Sequence, residues 1–286
     1  MWKTEVFLNS MAVDLRYETF RKGDVELEYL VTGKGNHPVL CFHGFGREAK
    51  DFLHFESMLE EDEFLVSINL FQHGNSQWSL PRKIESGIQI EEHIHWVEGL
   101  LEKLGASQFS MLAYSMGGRI ACTTFLHISD RVKKLLLIAP DGFKVNRLYQ
   151  FAAGTAPGRW IFRGIIRNPQ PILSTSKRLK NWNWIDEKLD RFVHVHLSER
   201  PTRQRVYDSW LIYKEFQPEL PLLAEKARKH GQFKMLFGSK DSVIKLEWGE
   251  RFQKLIPDHK VLWTIDYGHQ LMREETTRHI IQQGLW

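Results

Sequence analysis

Short apolar runs alternate with longer amphipathic stretches along most of this chain. Six runs of four to eight mainly apolar residues predict buried strands, at residues 39–42, 64–68, 109–113, 132–139, 233–237 and 261–265. Apolar residues spaced by three or four positions predict helices at residues 90–104, 246–255 and 270–283. Before them, residues 15–32 alternate apolar and polar positions around Lys22-Gly23-Asp24, which predicts an antiparallel hairpin.

Strands that alternate with helices predict a mostly parallel central sheet with helices on both faces, which is an α/β fold. The alternation stops after Asp141 and resumes near Pro218 and Pro221. Between these points we predict a helical insertion at 142–216, which divides the core into residues 1–141 and 217–286. The insertion mixes arginines with four tryptophans, Trp160, Trp182, Trp184 and Trp210.

A candidate nucleophile follows the apolar run at residues 109–113. Ser115 stands in the segment Tyr114-Ser115-Met116-Gly117-Gly118, between that predicted strand and a helix start rich in small residues. A sharp strand-turn-helix connection of this kind lifts a serine hydroxyl above the edge of the sheet, as in the G-x-S-x-G elbow. Here Ala113 replaces the first glycine of that pattern.

A serine nucleophile needs a base and an orienting carboxylate, and both have candidates downstream. Asp241 follows the predicted strand 233–237, and His269 follows the predicted strand 261–265. The carboxyl ends of parallel strands meet at one edge of a sheet, so Ser115, Asp241 and His269 are expected together there. Asp141, at the end of the strand 132–139, is a rival for the carboxylate, and we favour Asp241.

The sequence also offers an oxyanion hole. His43-Gly44-Phe45-Gly46 follows the predicted strand 39–42, and its glycines allow the backbone to turn with an amide directed into the site. The predicted donors are the backbone N–H groups of Phe45 and of Met116, the residue after the candidate nucleophile. We interpret His43 as a residue that braces this loop.

These four elements, in this order, resemble the α/β-hydrolase superfamily from about Asp14 to the C-terminus. The resemblance implies the α/β-hydrolase fold with a helical cap at 142–216, and a Ser-His-Asp mechanism that needs no cofactor and no metal. The chain departs from the D-x-P-G-H-G-x-S pattern of many relatives, because its loop reads Asn69-Leu70-Phe71-Gln72-His73-Gly74-Asn75-Ser76. Serine at the nucleophile position argues against an epoxide hydrolase or a dehalogenase.

Four hypotheses for the function remain open at this stage. The first is a serine hydrolase that cleaves a small or medium carboxylic ester or a related acyl compound. The second is a lyase, because Tyr114-Ser115-Met116-Gly117-Gly118-Arg119 resembles the pyruvate-eliminating synthase of the menaquinone pathway; that resemblance implies substrate binding by Tyr114 and Arg119. The others are a C–C bond hydrolase and a binding protein without catalysis.

Charge is distributed unevenly along the chain. Residues 142–216 contain 14 Lys and Arg and 6 Asp and Glu, a net charge of +8, whereas the whole chain carries +4. A basic surface of this kind is either a solvated face or a site of attraction for an anionic substrate or an acidic lipid surface. No nucleic-acid recognition motif accompanies it, so the predicted partner is a small molecule and not a nucleic acid.

Composition sets further limits. The 286 residues suffice for one sizeable core, and Cys41 and Cys122 lie where buried free thiols are expected. The N-terminus lacks the pattern of a signal peptide, and no apolar run approaches the roughly 20 residues of a membrane span. We therefore predict a cytoplasmic enzyme.

Paired histidines do not predict a metal site. His93 and His95, like His194 and His196, are two positions apart in segments that look helical. Side chains at that spacing diverge on a helix, so neither pair is expected to share a ligand.

Overall fold

A computed structural model of the chain describes residues 15–144, 147–181 and 197–286. In this part of the chain nine strands form one sheet. They are β1 Arg16–Lys22, β2 Val25–Thr32, β3 His37–Phe42, β4 Glu63–Ile68, β5 Gln77–Trp78, β6 Phe109–Tyr114, β7 Val132–Ile138, β8 Phe233–Gly238 and β9 Leu262–Ile265.

The sheet is mostly parallel, as predicted. Its strand order is β1-β2-β4-β3-β6-β7-β8-β9, with β5 paired beside β2. Every neighbouring pair from β4 to β9 along this order is parallel, whereas β2 is antiparallel to β1, β4 and β5. The predicted hairpin is therefore confirmed, and Gly23 in its turn has a φ of 62°, a value that favours glycine.

Helices surround this sheet. The described α-helices are α1 Ile90–Lys103, α2 Met116–Ile128, α3 Arg147–Gly154, α4 Ala156–Arg167, α5 Gln170–Asn181, α6 Arg200–Ile212, α7 Leu220–His230, α8 Leu246–Gln253 and α9 Glu274–Gln282. Helix α2 contacts both α1 and α7, whereas α9 contacts the 3₁₀ helix Ala49–Met58 instead. Strands β3, β4 and β6 are buried at every residue, as expected for strands covered on both faces.

The regular elements described between β7 and α7 are all helices. Helices α3, α4 and α6 bury a second, smaller apolar cluster that includes Tyr149, Phe162, Val206 and Leu211. This cluster is separate from the main core along the sheet. The boundaries 142 and 216 stay a prediction. Within the described residues, the helices are all too short or too polar to cross a bilayer.

One predicted helix begins later than expected. The apolar spacing placed its start at residue 270, whereas α9 begins at Glu274. Residues 270–273 instead continue the loop after His269, where the Leu271 N–H donates to the His269 carbonyl at 2.9 Å. Leu271 and Met272 are buried from this loop, and their burial produced the apparent helical pattern.

Candidate active site

Ser115 occupies a strained turn between β6 and α2. Its φ of 51° and ψ of −117° lie outside the regions that non-glycine residues usually adopt. The Ser115 N–H donates to the Ile138 carbonyl on β7 at 3.0 Å. A Cβ on Gly117 would lie 1.9 Å from the Phe42 carbonyl oxygen, so only glycine lets α2 approach β3 this closely. The turn therefore presents the serine at the carboxyl edge of the sheet.

The side chains of Ser115, His269 and Asp241 form a continuous chain of contacts. Ser115 Oγ lies 3.1 Å from His269 Nε2, and His269 Nδ1 lies 2.7 Å from Asp241 Oδ2. The other oxygen of Asp241 accepts the backbone N–H groups of Val243 at 2.7 Å and Ile244 at 2.9 Å. These bonds fix the buried carboxylate, so that Nδ1 carries the proton and Nε2 faces the serine hydroxyl.

The rival carboxylate has a different partner. Asp141 forms an ion pair with Arg119, and its second oxygen accepts the Gly142 N–H at 2.7 Å. The Arg119 guanidinium also lies 4.6 Å from the centre of the Tyr149 ring. Of the two aspartates considered from the sequence, the structure brings Asp241 to His269 and Asp141 to Arg119.

The predicted oxyanion loop passes directly over the serine. A Cβ on Gly44 would lie 3.0 Å from Ser115 Cβ and 2.9 Å from the Tyr114 ring, so the loop backbone packs against both residues. Phe45, the first predicted donor, directly follows Gly44 in this loop. Met116 is the first residue of α2, where backbone N–H groups point out of the helix end. Both predicted donors therefore belong to backbone beside Ser115.

Two buried histidines hold that loop through backbone contacts. His43 Nε2 accepts the Leu70 N–H at 2.9 Å, and its Nδ1 donates to the Gly44 carbonyl at 2.7 Å. His73 Nε2 accepts the Gly46 N–H at 2.9 Å. Burial lowers the pKa of His43 to about 3 and that of His73 to about 4. Both rings are therefore neutral near pH 7, as their acceptor role requires. The sequence indicated the bracing role of His43 but not that of His73.

Tyr114 braces the loop that carries the base. Its hydroxyl donates to the His269 carbonyl at 2.7 Å, and the two rings lie 5.4 Å apart. Burial raises the pKa of Tyr114 to about 12, so the phenol keeps its proton and stays a donor. The structure does not bring this side chain into the cavity, where the lyase resemblance had placed it.

A cavity of about 730 Å³ opens beside Ser115 and His269. This volume falls in the range of small-molecule sites. Apolar and aromatic side chains dominate its wall: Phe45, Met116, Tyr149, Val206, Trp210, Tyr213, Val243, Ile244 and Trp248. Its charged residues are Arg119 and Asp141, which pair with each other, and Lys144 and Arg147.

Of the four tryptophans in the predicted insertion, the structure describes Trp160 and Trp210. Trp210 lines the cavity, whereas Trp160 is 75% exposed and is not part of the wall. Trp182 and Trp184 lie outside the described residues, as do His194 and His196. Trp248, from the core, was missed as a lining residue because no local pattern marks it.

The first histidine pair diverges as predicted. His93 is buried on α1 and lies 2.8 Å from the Thr124 hydroxyl, whereas His95 is exposed. Among residues 15–144, 147–181 and 197–286, no group of three or more His, Cys, Asp and Glu side chains is arranged to hold a metal ion.

Comparisons with known proteins agree with this architecture. Residues 37–276 match the family model described as alpha/beta hydrolase fold. Lipase 1 of Psychrobacter immobilis is 24% identical over 93% of this chain and 86% of its own length. A thermophilic esterase from Thermogutta terrifontis has a TM-score of 0.63 and 20% identity, over 94% of this chain and 97% of its own. The 2-hydroxy-6-oxo-6-phenylhexa-2,4-dienoate hydrolase of a Rhodococcus species also has a TM-score of 0.63, with 18% identity, over 95% and 98%.

Proposed function

The chain belongs to the α/β-hydrolase fold family, and from this premise we propose that it is a serine hydrolase that cleaves carboxylic esters. The contacts from Ser115 Oγ through His269 to Asp241 carry the proposal. A nucleophile that a substrate can reach beside a base, with the base oriented by a third group, is the arrangement that acyl transfer needs. The similarity to Lipase 1 of Psychrobacter immobilis also supports an ester substrate.

In the proposed mechanism, Ser115 Oγ attacks the ester carbonyl while His269 Nε2 takes the hydroxyl proton. Asp241 holds the imidazole in the required tautomer and stabilises the imidazolium that forms. The backbone N–H groups of Phe45 and Met116 donate to the negative oxygen of the tetrahedral intermediate. His269 then gives its proton to the leaving alcohol. Water next attacks the acyl carbon while His269 takes a proton from it, and His269 returns that proton to Ser115 Oγ as the carboxylic acid leaves.

We further propose that the preferred ester carries a negative charge. Lys144 and Arg147 both line the cavity, and no acidic side chain pairs with either of them among the described residues. The Lys144 ammonium lies 5.1 Å from the centre of the Trp248 ring. A cavity wall with two such cations attracts an anionic group while its apolar part accommodates the acyl chain.

The lyase alternative has less support than the ester hydrolase. Its two marker residues are Tyr114 and Arg119. The first donates to the His269 carbonyl, and the second is paired with Asp141. A C–C bond hydrolase would use the same serine and histidine. The two activities are therefore distinguished by the substrate that the protein turns over.

Labelling with a fluorophosphonate tests the nucleophile. Ser115 Oγ should attack the phosphorus and expel fluoride, which leaves a covalent phosphonyl-enzyme. Ser115→Ala should abolish labelling and lower ester turnover by about 10⁴-fold or more, and His269→Ala should lower turnover on a similar scale. Ser79→Ala, at an exposed serine outside the cavity wall, is the matched control and should leave both unchanged.

A panel of ester, thioester and C–C substrates, run with the same variants, tests the reaction class. We expect turnover of esters that depends on Ser115. Wild-type turnover by the Ser115→Ala variant would contradict the serine mechanism. Turnover of C–C substrates alone would replace the ester proposal with a C–C bond hydrolase.

A further inference from the structure

Four large apolar side chains on α3 and α4 are exposed to solvent. They are Leu148 (68% exposed), Phe151 (44%), Trp160 (75%) and Ile161 (46%). Scattered single apolar residues are normal on a protein surface, but a group of this size on adjoining helices marks an interaction site. We call these four residues the outer apolar face.

The packing of the two helices explains why these residues are left exposed. Helices α3 and α4 contact each other, and both also contact α6. Their inward sides bury Tyr149 and Phe162 in the small cluster with Leu211. Trp160 and Ile161 lie on another side of α4, because successive residues on a helix differ in direction by about 100°.

The two helices that carry this face contain only basic charged residues. From 147 to 167 the chain has four Arg and no Asp or Glu, and Arg163 pairs with Glu85 outside these helices. On α4, Arg167 is exposed and Arg159 is half-buried next to the outer apolar face. Helices that combine exposed Trp and Leu with Lys and Arg are typical of segments that lie in the headgroup layer of a membrane.

From these observations we propose that the outer apolar face docks on a bilayer surface that contains anionic phospholipids. The apolar side chains would enter the boundary between headgroups and acyl chains, while the surrounding arginines contact lipid phosphates. A second copy of the chain fits this surface less well. A two-fold symmetric contact would place the same basic region against itself, where like charges repel.

The outer apolar face lies next to residues that line the cavity. Leu148 stands between Arg147 and Tyr149, which both line the cavity beside Ser115. Docking would therefore bring the bilayer close to the wall that holds Lys144 and Arg147. Binding itself does not depend on hydrolysis, so the docking surface can be tested without the proposed chemistry.

Flotation with vesicles of phosphatidylcholine alone or mixed with an equal amount of phosphatidylglycerol provides the test. The full chain with Ser115→Ala is used, so that no lipid is hydrolysed. We expect binding to the mixed vesicles at least tenfold stronger than to phosphatidylcholine alone. Trp160→Ser with Ile161→Ser should weaken binding to the mixed vesicles at least tenfold. Leu255→Ser with Ile281→Ser, at residues 47% and 52% exposed in the turn after α8 and on α9, should change it less than twofold.

A second variant addresses the charge and does not alter apolar packing. Arg167→Gln should weaken binding to the mixed vesicles about fivefold, which corresponds to the roughly 1 kcal/mol that one basic residue contributes near an anionic surface. Equal binding to both vesicle types, no binding to either, or an equal loss in the Leu255 and Ile281 control would overturn the proposal. A dimer that Trp160→Ser with Ile161→Ser dissociates, without vesicle binding by the monomer, would assign the face to self-association instead.

Discussion

Two aspartates follow neighbouring strands of the sheet, but they have different partners. Asp241, after β8, contacts His269 at 2.7 Å, whereas Asp141, after β7, is paired with Arg119. Asp241→Asn should therefore lower kcat by about 10⁴-fold, because the amide no longer selects the useful imidazole tautomer. Ester kinetics measured alongside circular dichroism would separate this effect from a loss of fold.

Asp141→Asn is the matched control for that variant. It leaves the buried Arg119 without its carboxylate, so the expected effect is a loss of about 1–3 kcal/mol of stability, less than for a fully buried pair because Asp141 is partly exposed. Its kcat should fall far less than that of Asp241→Asn. The reverse order of kcat values would assign the carboxylate role to Asp141.

The two cations of the cavity give a second prediction at this scale. Lys144→Gln with Arg147→Gln should lower kcat/KM for a carboxylate-bearing ester at least tenfold and leave a neutral ester of equal size within threefold. The difference between the two esters should shrink as salt is added, since the Debye length is about 10 Å at 0.1 M. Lys229→Gln with Arg251→Gln removes the same charge outside the cavity wall. Equal losses in the two double variants would contradict an anion-binding wall.

At the scale of single residues, the order of predicted strands and polar residues along the chain was enough to identify the main candidates. Ser115, Asp241 and His269 were predicted because each follows an apolar run, and parallel strands end at one edge. The pairing of Arg119 with Asp141, and the place of Trp248 in the cavity wall, depend on contacts between distant segments. No local pattern encodes such contacts.

Gly117 on α2 and Gly164 on α4 have different surroundings. A Cβ on Gly117 would meet the Phe42 carbonyl at 1.9 Å, whereas a Cβ on Gly164 would meet nothing within 4 Å. Gly117→Ala should cost about 2–3 kcal/mol and lower kcat at least tenfold, because α2 and Ser115 must shift. Gly164→Ala should stabilise the protein by about 0.5–1 kcal/mol. Urea unfolding measures both, and a stable, active Gly117→Ala variant would contradict the close packing of α2 on β3.

At the scale of elements, the strands were the most predictable part. Their apolar runs are short and continuous because helices cover both faces of the sheet. The start of α9 was predicted four residues too early, since Leu271 and Met272 are buried from a loop and imitate a helical face. For α3, α4 and α6 the sequence predicted helices but not which sides are buried, because their cluster joins three separate segments.

Several neutral histidines are distributed through the core of the molecule. Burial lowers the pKa of His43 and His93 to about 3 and that of His73 to about 4. The pKa of a histidine in the unfolded chain is near 6.5. Below that pH, these histidines therefore bind protons in the unfolded chain but stay neutral in the native protein. The free energy of unfolding should therefore be highest above pH 6.5 and fall as the pH drops toward 4.

His93 isolates this effect, because it lies away from the cavity and has an exposed neighbour on the same helix. For each such ring, the free energy of unfolding should fall by about 1.4 kcal/mol per pH unit between pH 6 and 5. His93→Gln keeps a polar group near the Thr124 hydroxyl but cannot bind the proton, so it should reduce the slope by about that amount. His95→Gln, at the exposed position, should leave the slope unchanged. Urea titrations at pH 7, 6 and 5 measure the three slopes, and equal slopes for His93→Gln and the wild type would show that His93 is not neutral in the native state.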